Sequence, residues 1–324
     1  MSSDIEFPWT GAARLDDYSQ HACKHRALSK RMIRWGVGDA NWVLSMYDES
    51  LGFLRYAKER GLKIAIDVFI SPCSGRIMNT LFRRFSSWEG TGPRHDFGRH
   101  EDHMREIFSL ADIVICPSKW VEQGVCELDP RSEEKVRVVA YGCSVRNTNF
   151  GNQPERGRIL YCGRDHLRKG LPDLARSAKE LKARHPSWDF RVAGKAPAHI
   201  MNLPECSGLT FLGDLDSDEM VAEYRQADIF VLPTYSEGLA GAAVEALTFG
   251  IPIITTPACG LNLRSGEEGF LVQPGDVNAL TQSIEAIVTD RNRRKAMGES
   301  ARNSSAYYTA DAWAKRLVAV FDES

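Results

Sequence analysis

No stretch of the 324 residues approaches the roughly 20 consecutive apolar residues that a membrane-crossing helix needs, so the sequence reads as soluble. None of the eight cysteines stands in a Cys-x-x-Cys pair, which removes the commonest zinc and dithiol-redox spacings. Several sit inside apolar runs such as Ile113 to Cys116, as buried reduced thiols do. Neither sign of charge prevails: 41 Lys and Arg face 43 Asp and Glu, a formal net charge of −2. Nothing in that balance attracts nucleic acid, and an anionic ligand has to be held by a local cluster. Met1 to Thr10 carries Asp4 and Glu6 and shows no basic, apolar and small-residue succession, so a secretory signal is not expected and the cytoplasm is the expected location. Neither half has a Gly-x-Gly-x-x-Gly after its first strand, which argues against a nicotinamide dehydrogenase. Internal repeats and low-complexity stretches are also missing.

A hydrophobic content of 43% with 26% charged residues is that of a globular protein, and the length suits two domains better than one core. Short apolar runs alternate with segments of helical period, the pattern of parallel sheets covered by helices, so the expected class is α/β. In the first half the strand candidates are Trp42 to Met46, Lys63 to Phe69, Asp112 to Cys116 and Val136 to Ala140. In the second they are Arg158 to Cys162, Phe190 to Ala193, Thr210 to Leu212, Ile229 to Leu232, Pro252 to Thr255 and Phe270 to Val272. The polar stretch Asn147 to Gly157 marks the boundary, giving domains at 1–150 and 151–305 with a terminal segment at 306–324.

The sharpest local signal runs from Leu232 to Gly250, a strand that ends in a short loop and opens a helix. The first amide groups of a helix lack internal partners and sit at the positive end of its dipole, so they suit an anion. Gly238 and Gly241 have no Cβ to keep a phosphate from the backbone. Glu237 precedes the helix and Glu245 lies about two turns into it, in position to accept hydrogen bonds from sugar hydroxyls. A second signal runs from Ile159 to Gly170, a strand followed by Gly163-Arg164 and Lys169-Gly170. Ligands of open α/β sheets bind at that strand edge, and two cations facing a helix N-terminus form a clamp for a diphosphate.

Together these residues resemble the group 1 transferases of glycosyltransferase family 4. The likeness spans roughly residues 110 to 322 and centres on Glu237 and Glu245, with seven residues between them. Further matches follow in order at Ala111 to Trp120, Lys135 to Gly142, Phe211 to Gly213, Ala227 to Pro233 and Gly269 to Gly275. The resemblance implies a GT-B architecture, two Rossmann-like domains facing each other across a cleft. It implies a retaining, metal-independent transferase with no cofactor, taking a sugar from a nucleotide-diphosphate donor to a sugar, lipid-linked or other small acceptor. By the same likeness Arg164 and Lys169 contact the donor diphosphate, Glu237 the donor sugar and Glu245 the ribose. Gly238 and Leu239 offer backbone amides, and the last helix candidate, Asp311 to Phe321, returns to the first domain.

The first domain departs from that pattern. No strand with a glycine-rich loop precedes Trp42, Gly11 being its poor substitute, and the segment Ile64 to Pro72 lacks the histidine that the family tends to carry after a middle strand, leaving Asp67 or Ser71 to compensate. A non-catalytic nucleotide-sugar-binding protein is therefore the rival reading. The segment His21 to Trp35 mixes basic and apolar residues; it reads first as a solvated helix packed on the first domain and second as a helix resting on anionic lipid, a peripheral contact that would suit a lipid-linked acceptor. His100 and His103 have a helical metal-ligand spacing without a third ligand, so no metal is expected, and His95 is left as an acceptor-site candidate.

Overall fold

The computed structural model describes residues 17–46, 51–88, 97–143 and 151–322. The first half opens with helix α1 (Asp17–Trp35) and then alternates β1 (Trp42–Met46), α2 (Leu51–Glu59), β2 (Lys63–Asp67), α3 (Ser74–Arg84), α4 (Phe97–Leu110), β3 (Ile113–Cys116), α5 (Lys119–Leu128) and β4 (Val136–Val138). Its four strands pair in parallel in the order β1-β2-β3-β4. All four residues of β3 are buried, which is why this strand reads as one apolar run rather than an alternating one. Helix α5 starts where Ser118 caps it, the hydroxyl accepting the Val121 amide at 3.3 Å.

The second half supplies β5 (Arg158–Cys162), α6 (Leu171–Arg184), β6 (Asp189–Ala193), α7 (Ala198–Met201), β7 (Leu209–Gly213), α8 (Ser217–Gln226), β8 (Ile229–Leu232), α9 (Gly241–Phe249), β9 (Ile253–Thr255), β10 (Gly269–Leu271), α10 (Val277–Thr289) and α11 (Arg291–Ser304). Six parallel strands form a sheet in the order β10-β9-β8-β5-β6-β7. The chain winds to one side of β5 through β6 and β7, then to the other through β8 and β9. The loops that leave β5 and β8 consequently part from each other at the carboxyl edge, and such a switch point opens a crevice in an α/β sheet.

Helix α12 (Ala310–Asp322) packs on the first sheet: Val320 clusters with Ala65, Ile113, Ile115 and Val139, and Phe321 meets Trp42 edge to face at 5.1 Å. A second crossing runs the other way. Leu81 and Phe85 of the α3 segment and Trp88 beyond it are buried in the core of the second sheet, where the Trp88 indole donates to Glu205 Oε1 at 2.7 Å. The two sheets are thus joined by apolar packing in both directions, although residues 74–88 lie well before the polar stretch near residue 150. Trp88→Ala should cost about 3–5 kcal/mol by removing a buried ring. Urea unfolding measures it, and a loss below about 1 kcal/mol would mean that this crossing contributes little.

Candidate functional site

The crevice is built from two loops, Gly163 to Gly170 after β5 and Pro233 to Ala240 after β8. They are stitched together: the Arg168 carbonyl accepts the Tyr235 amide at 2.8 Å and the Thr234 hydroxyl at 3.1 Å. Lys169 folds back across Gly163, where an added Cβ would stand 2.2 Å from Lys169 Cδ. Only glycine leaves room for that path, which carries the ammonium to 2.7 Å from Glu237 Oε1. Arg168 reaches the same oxygen at 3.0 Å, donates to the Ser236 carbonyl at 2.5 Å and pairs with Asp165 at 2.6 Å.

Glu237 is only 8% exposed, so its charge is held by these two cations rather than by water. Both nitrogens lie within ion-pair distance of Oε1, yet neither is aligned along its hydrogen-bonding directions. Burial pulls the Arg168 guanidinium down in pKa, but the carboxylates of Glu237 and Asp165 outweigh it and raise it, so Arg168 stays charged. Arg164 lies apart from this pair, with 78% of its side chain exposed and its Nε 3.1 Å from Asp214 Oδ1. The structure therefore brings Lys169 and Glu237 together and places Arg164 at the rim. Arg168 is the residue that sequence reasoning passed over. Its neighbour Lys169 was the only hint, since nothing local shows that both side chains turn inward.

Helix α9 points its N-terminus at this crevice. The amides of Leu239, Gly241 and Ala242 have no hydrogen-bond partner among the described residues, and nothing lies within 4 Å of the position a Cβ would take at Gly241. Gly238 is different. Its Cβ direction is filled by the Phe69 carbonyl oxygen at 1.7 Å, so this glycine serves the contact with the first domain and Gly241 is the one open to a ligand. Ser118 Oγ donates to the Gly238 carbonyl at 2.6 Å, and the hydroxyls of Ser74 and Ser236 lie 2.6 Å apart, so the first domain closes directly over the β8 loop.

Deeper along α9, Glu245 accepts the Tyr224 hydroxyl at 2.8 Å. Burial and the nearby carboxylate push the Tyr224 hydroxyl well above its usual pKa, keeping it a donor that fixes the Glu245 rotamer. Cys162, at the end of β5, is pushed up to about 11 by burial and by Glu245. It is a neutral thiol in the wall.

Ser71, one of the two residues that the sequence offers in place of a histidine, is buried and shapes the turn into α3, its carbonyl accepting the Ser74 amide at 2.9 Å. Asp67 ends β2 and is bound by the Tyr141 hydroxyl; burial raises its carboxyl above the ordinary range against that hydrogen bond, which lowers it. His100 and His103 lie on α4, both engaged in interactions, and among the described residues no group of three or more His, Cys, Asp or Glu side chains is arranged to hold a metal. His95 and Gly11 fall outside the described residues.

His166 in the β5 loop is buried, its Nε2 3.1 Å from the Lys195 carbonyl and its Nδ1 without a partner among the described residues. Burial lowers its pKa below the ordinary 6.5, against the Lys195 hydrogen bond and Asp165, which raise it. The unfolded chain takes up the proton first, so this contribution to stability is complete above pH 6.5 and is lost as pH falls toward the folded value. His166→Gln should flatten the fall in urea midpoint between about pH 7.5 and 5.5; an unchanged slope would exclude this histidine as its source.

Residues 147–304 match the family Glycosyl transferases group 1. The match runs from before β5 to the end of α11, both crevice loops included. The chain is 28% identical over 247 residues to the D-inositol 3-phosphate glycosyltransferase of Corynebacterium jeikeium, a stretch covering 68% of this chain and 59% of that protein. The chain spans about half the length of the curated relatives it matches. Among solved structures it superposes on sucrose-phosphate synthase from Thermosynechococcus elongatus with a TM-score of 0.73 at 19% identity, covering 98% of this chain and 81% of that one. It also superposes on the Anabaena protein HepE, solved with UDP and glucose, with a TM-score of 0.67 at 13% identity over 94% of this chain and 82% of that one. The fold is α/β of the GT-B kind, two Rossmann-like domains facing each other across a cleft. No described helix is long and apolar enough to cross a membrane.

Proposed function

We propose that this chain is a retaining, metal-independent glycosyltransferase that moves a sugar from a nucleotide-diphosphate donor to a sugar, lipid-linked or other small acceptor in the interdomain cleft. The observation that carries the reading is the buried Lys169–Glu237–Arg168 cluster beside the open amides of α9. The family match of the second domain and the UDP and glucose bound by HepE support it. In this reading the diphosphate lies on the Leu239, Gly241 and Ala242 amides, with Lys169 turning from Glu237 to a phosphate oxygen and Arg164 closing from the rim. Arg168 keeps Glu237 paired once Lys169 leaves, and Glu237 meets the donor sugar. Glu245 accepts a ribose hydroxyl while Tyr224 holds it in place, and Leu239 presents its backbone amide to the donor, whereas Gly238 is spent on the contact with the first domain.

Transfer forms a bond between an acceptor oxygen and the anomeric carbon as the bond from that carbon to the diphosphate oxygen breaks. The departing diphosphate takes the acceptor proton on the same face. Lys169, Arg164 and the helix amides are already oriented toward the charge that develops on it, and preorganised charge of this kind lowers the barrier. Incubation with nucleotide sugars and a panel of acceptors tests the reading: transfer with retained anomeric configuration is the expected result. A second reading, a non-catalytic nucleotide-sugar binder, draws on the engagement of Asp67 and Ser71 within the first domain. Tight donor binding with neither transfer nor hydrolysis would favour it.

Arg168→Gln should lower kcat by about tenfold or more while weakening donor binding less, because it loosens Glu237 without touching the diphosphate cradle. A loss confined to donor affinity would instead put Arg168 on the diphosphate.

A further inference from the structure

The start of α6 lies against the β8 loop. Gly170 caps the helix with φ +74°, and a Cβ there would stand 2.0 Å from the Pro233 carbonyl oxygen, so the left-handed turn and the close approach both require glycine. In the first turn of the helix, Asp173 is 1% exposed and its Oδ2 accepts the Tyr235 hydroxyl at 2.7 Å. Tyr235 is itself buried and stands two residues before Glu237. Arg84, in the last turn of α3, brings Nη1 to 3.5 Å from the same hydroxyl oxygen. Beside them, a Cβ on Gly275 would stand 2.8 Å from that nitrogen and 3.2 Å from the hydroxyl. Elements from both halves of the chain thus meet on one phenol that the cluster described above does not use.

Filling space does not account for this pair. Phenylalanine and leucine would occupy the same volume without a buried carboxylate, and Asp173 leaves its second oxygen, Oδ1, buried without a hydrogen-bond partner among the described residues. Burial raises the Asp173 carboxyl above the ordinary range, against the Tyr235 hydrogen bond and the charges of Arg84 and Arg176, which lower it. What the pair supplies is direction. The phenol is the one long arm that ties this turn to α6. Its other ties are short: the Tyr235 amide donates to the Arg168 carbonyl at 2.8 Å, the Glu237 amide to the Ala258 carbonyl at 2.9 Å, and the Ser236 hydroxyl lies 2.6 Å from that of Ser74.

We infer that Tyr235 is a positioning residue for sugar transfer: its bond to Asp173 fixes the turn that carries Glu237, and with it the place of that carboxylate at the donor sugar. This rests on the function proposed above. The start of α9 is held separately, the Ala240 amide donating to the Cys259 carbonyl at 3.0 Å, and Lys169 belongs to the other loop. Loosening Tyr235 therefore lowers turnover and spares nucleotide binding.

The test measures transfer from the glucose esters of UDP, GDP, ADP and dTDP to the acceptor panel, at a temperature where every variant is folded, and calorimetric binding of the four nucleoside diphosphates. Tyr235→Phe should lower kcat about tenfold, because a small misplacement of a group at the reacting centre is enough for that, while the nucleoside-diphosphate Kd stays within about threefold. That variant leaves a buried carboxylate unpaired. Tyr235→Phe/Asp173→Leu removes both polar groups together, which spares the fold, and should show the same loss of kcat. Asp173→Asn keeps an acceptor for the hydroxyl and should recover most of the turnover that Asp173→Leu loses. A role in stability alone would leave kcat at the wild-type value in all of them. Wild-type kcat in both Tyr235 variants, a loss that appears equally in Kd, or equal kcat in Asp173→Asn and Asp173→Leu would overturn the inference and leave the transferase reading in place. A wild-type chain that transfers from none of these donors would remove the reading and the inference together.

Discussion

Replacing Lys169 by alanine should weaken nucleoside-diphosphate binding at least tenfold and lower kcat/KM by more than that. A charged hydrogen bond to phosphate contributes about 1.5–3 kcal/mol, or roughly 10- to 150-fold. The same ammonium stabilises the leaving diphosphate as charge accumulates on it, so the effect on the transition state exceeds that on the ground state. The fold should survive. Arg168 remains 3.0 Å from Glu237, so the buried carboxylate is not left without a cation. Calorimetric titration with the preferred nucleotide and steady-state kinetics check the two parts separately. Unchanged affinity would mean that Lys169 stays on Glu237 and that the diphosphate binds elsewhere.

The second large effect belongs to Gly238, and its neighbour Gly241 is the control. In Gly238→Ala the new methyl would stand 1.7 Å from the Phe69 carbonyl oxygen and 3.3 Å from Pro117 Cγ, so the first domain and the β8 loop cannot keep their contact. Overpacking of this kind costs about 1–3 kcal/mol, and transfer should fall by more than tenfold because the cleft is no longer closed over Glu237. In Gly241→Ala nothing lies within 4 Å of the methyl, and alanine favours the helix by about 0.5–1 kcal/mol. That variant should keep or gain thermal stability and lose nucleotide affinity, since the methyl fills the space proposed for the phosphate. Destabilisation by Gly241→Ala, or tolerance of Gly238→Ala, would reverse the roles assigned to the two glycines.

These two positions also show how far the sequence could be read. Both glycines qualify equally as a close approach to the backbone, and the distinction depends on Phe69, some 170 residues earlier in the chain. The strands β5 and β8 coincide with the apolar runs at Arg158 to Cys162 and Ile229 to Leu232, because a strand buried on both faces leaves an uninterrupted signature between turn residues. Glu237 and Lys169 were legible as candidates from spacing and family likeness. Their pairing was not, because it depends on Lys169 crossing Gly163. Tyr224, which fixes Glu245, lies on α8 with no local marker of that role. In α3 and at the residue that follows it, Ile77, Met78, Leu81, Phe82 and Phe85 recur at helical spacing, but a helical stripe does not say which sheet will bury it. Element type is a local property of the chain. The partner of each apolar face and each charged side chain is a property of the whole fold.

The most direct test of the account is thermal unfolding of the protein with UDP, GDP, ADP, dTDP and NAD, run in parallel on Lys169→Ala. A ligand that binds only the folded state adds about 2.7 kcal/mol at a hundredfold excess over its Kd. The account predicts a clear rise in midpoint with at least one nucleoside diphosphate, none with NAD, and loss of the rise in the variant. No shift with any nucleoside diphosphate, or a shift that Lys169→Ala leaves intact, would contradict it.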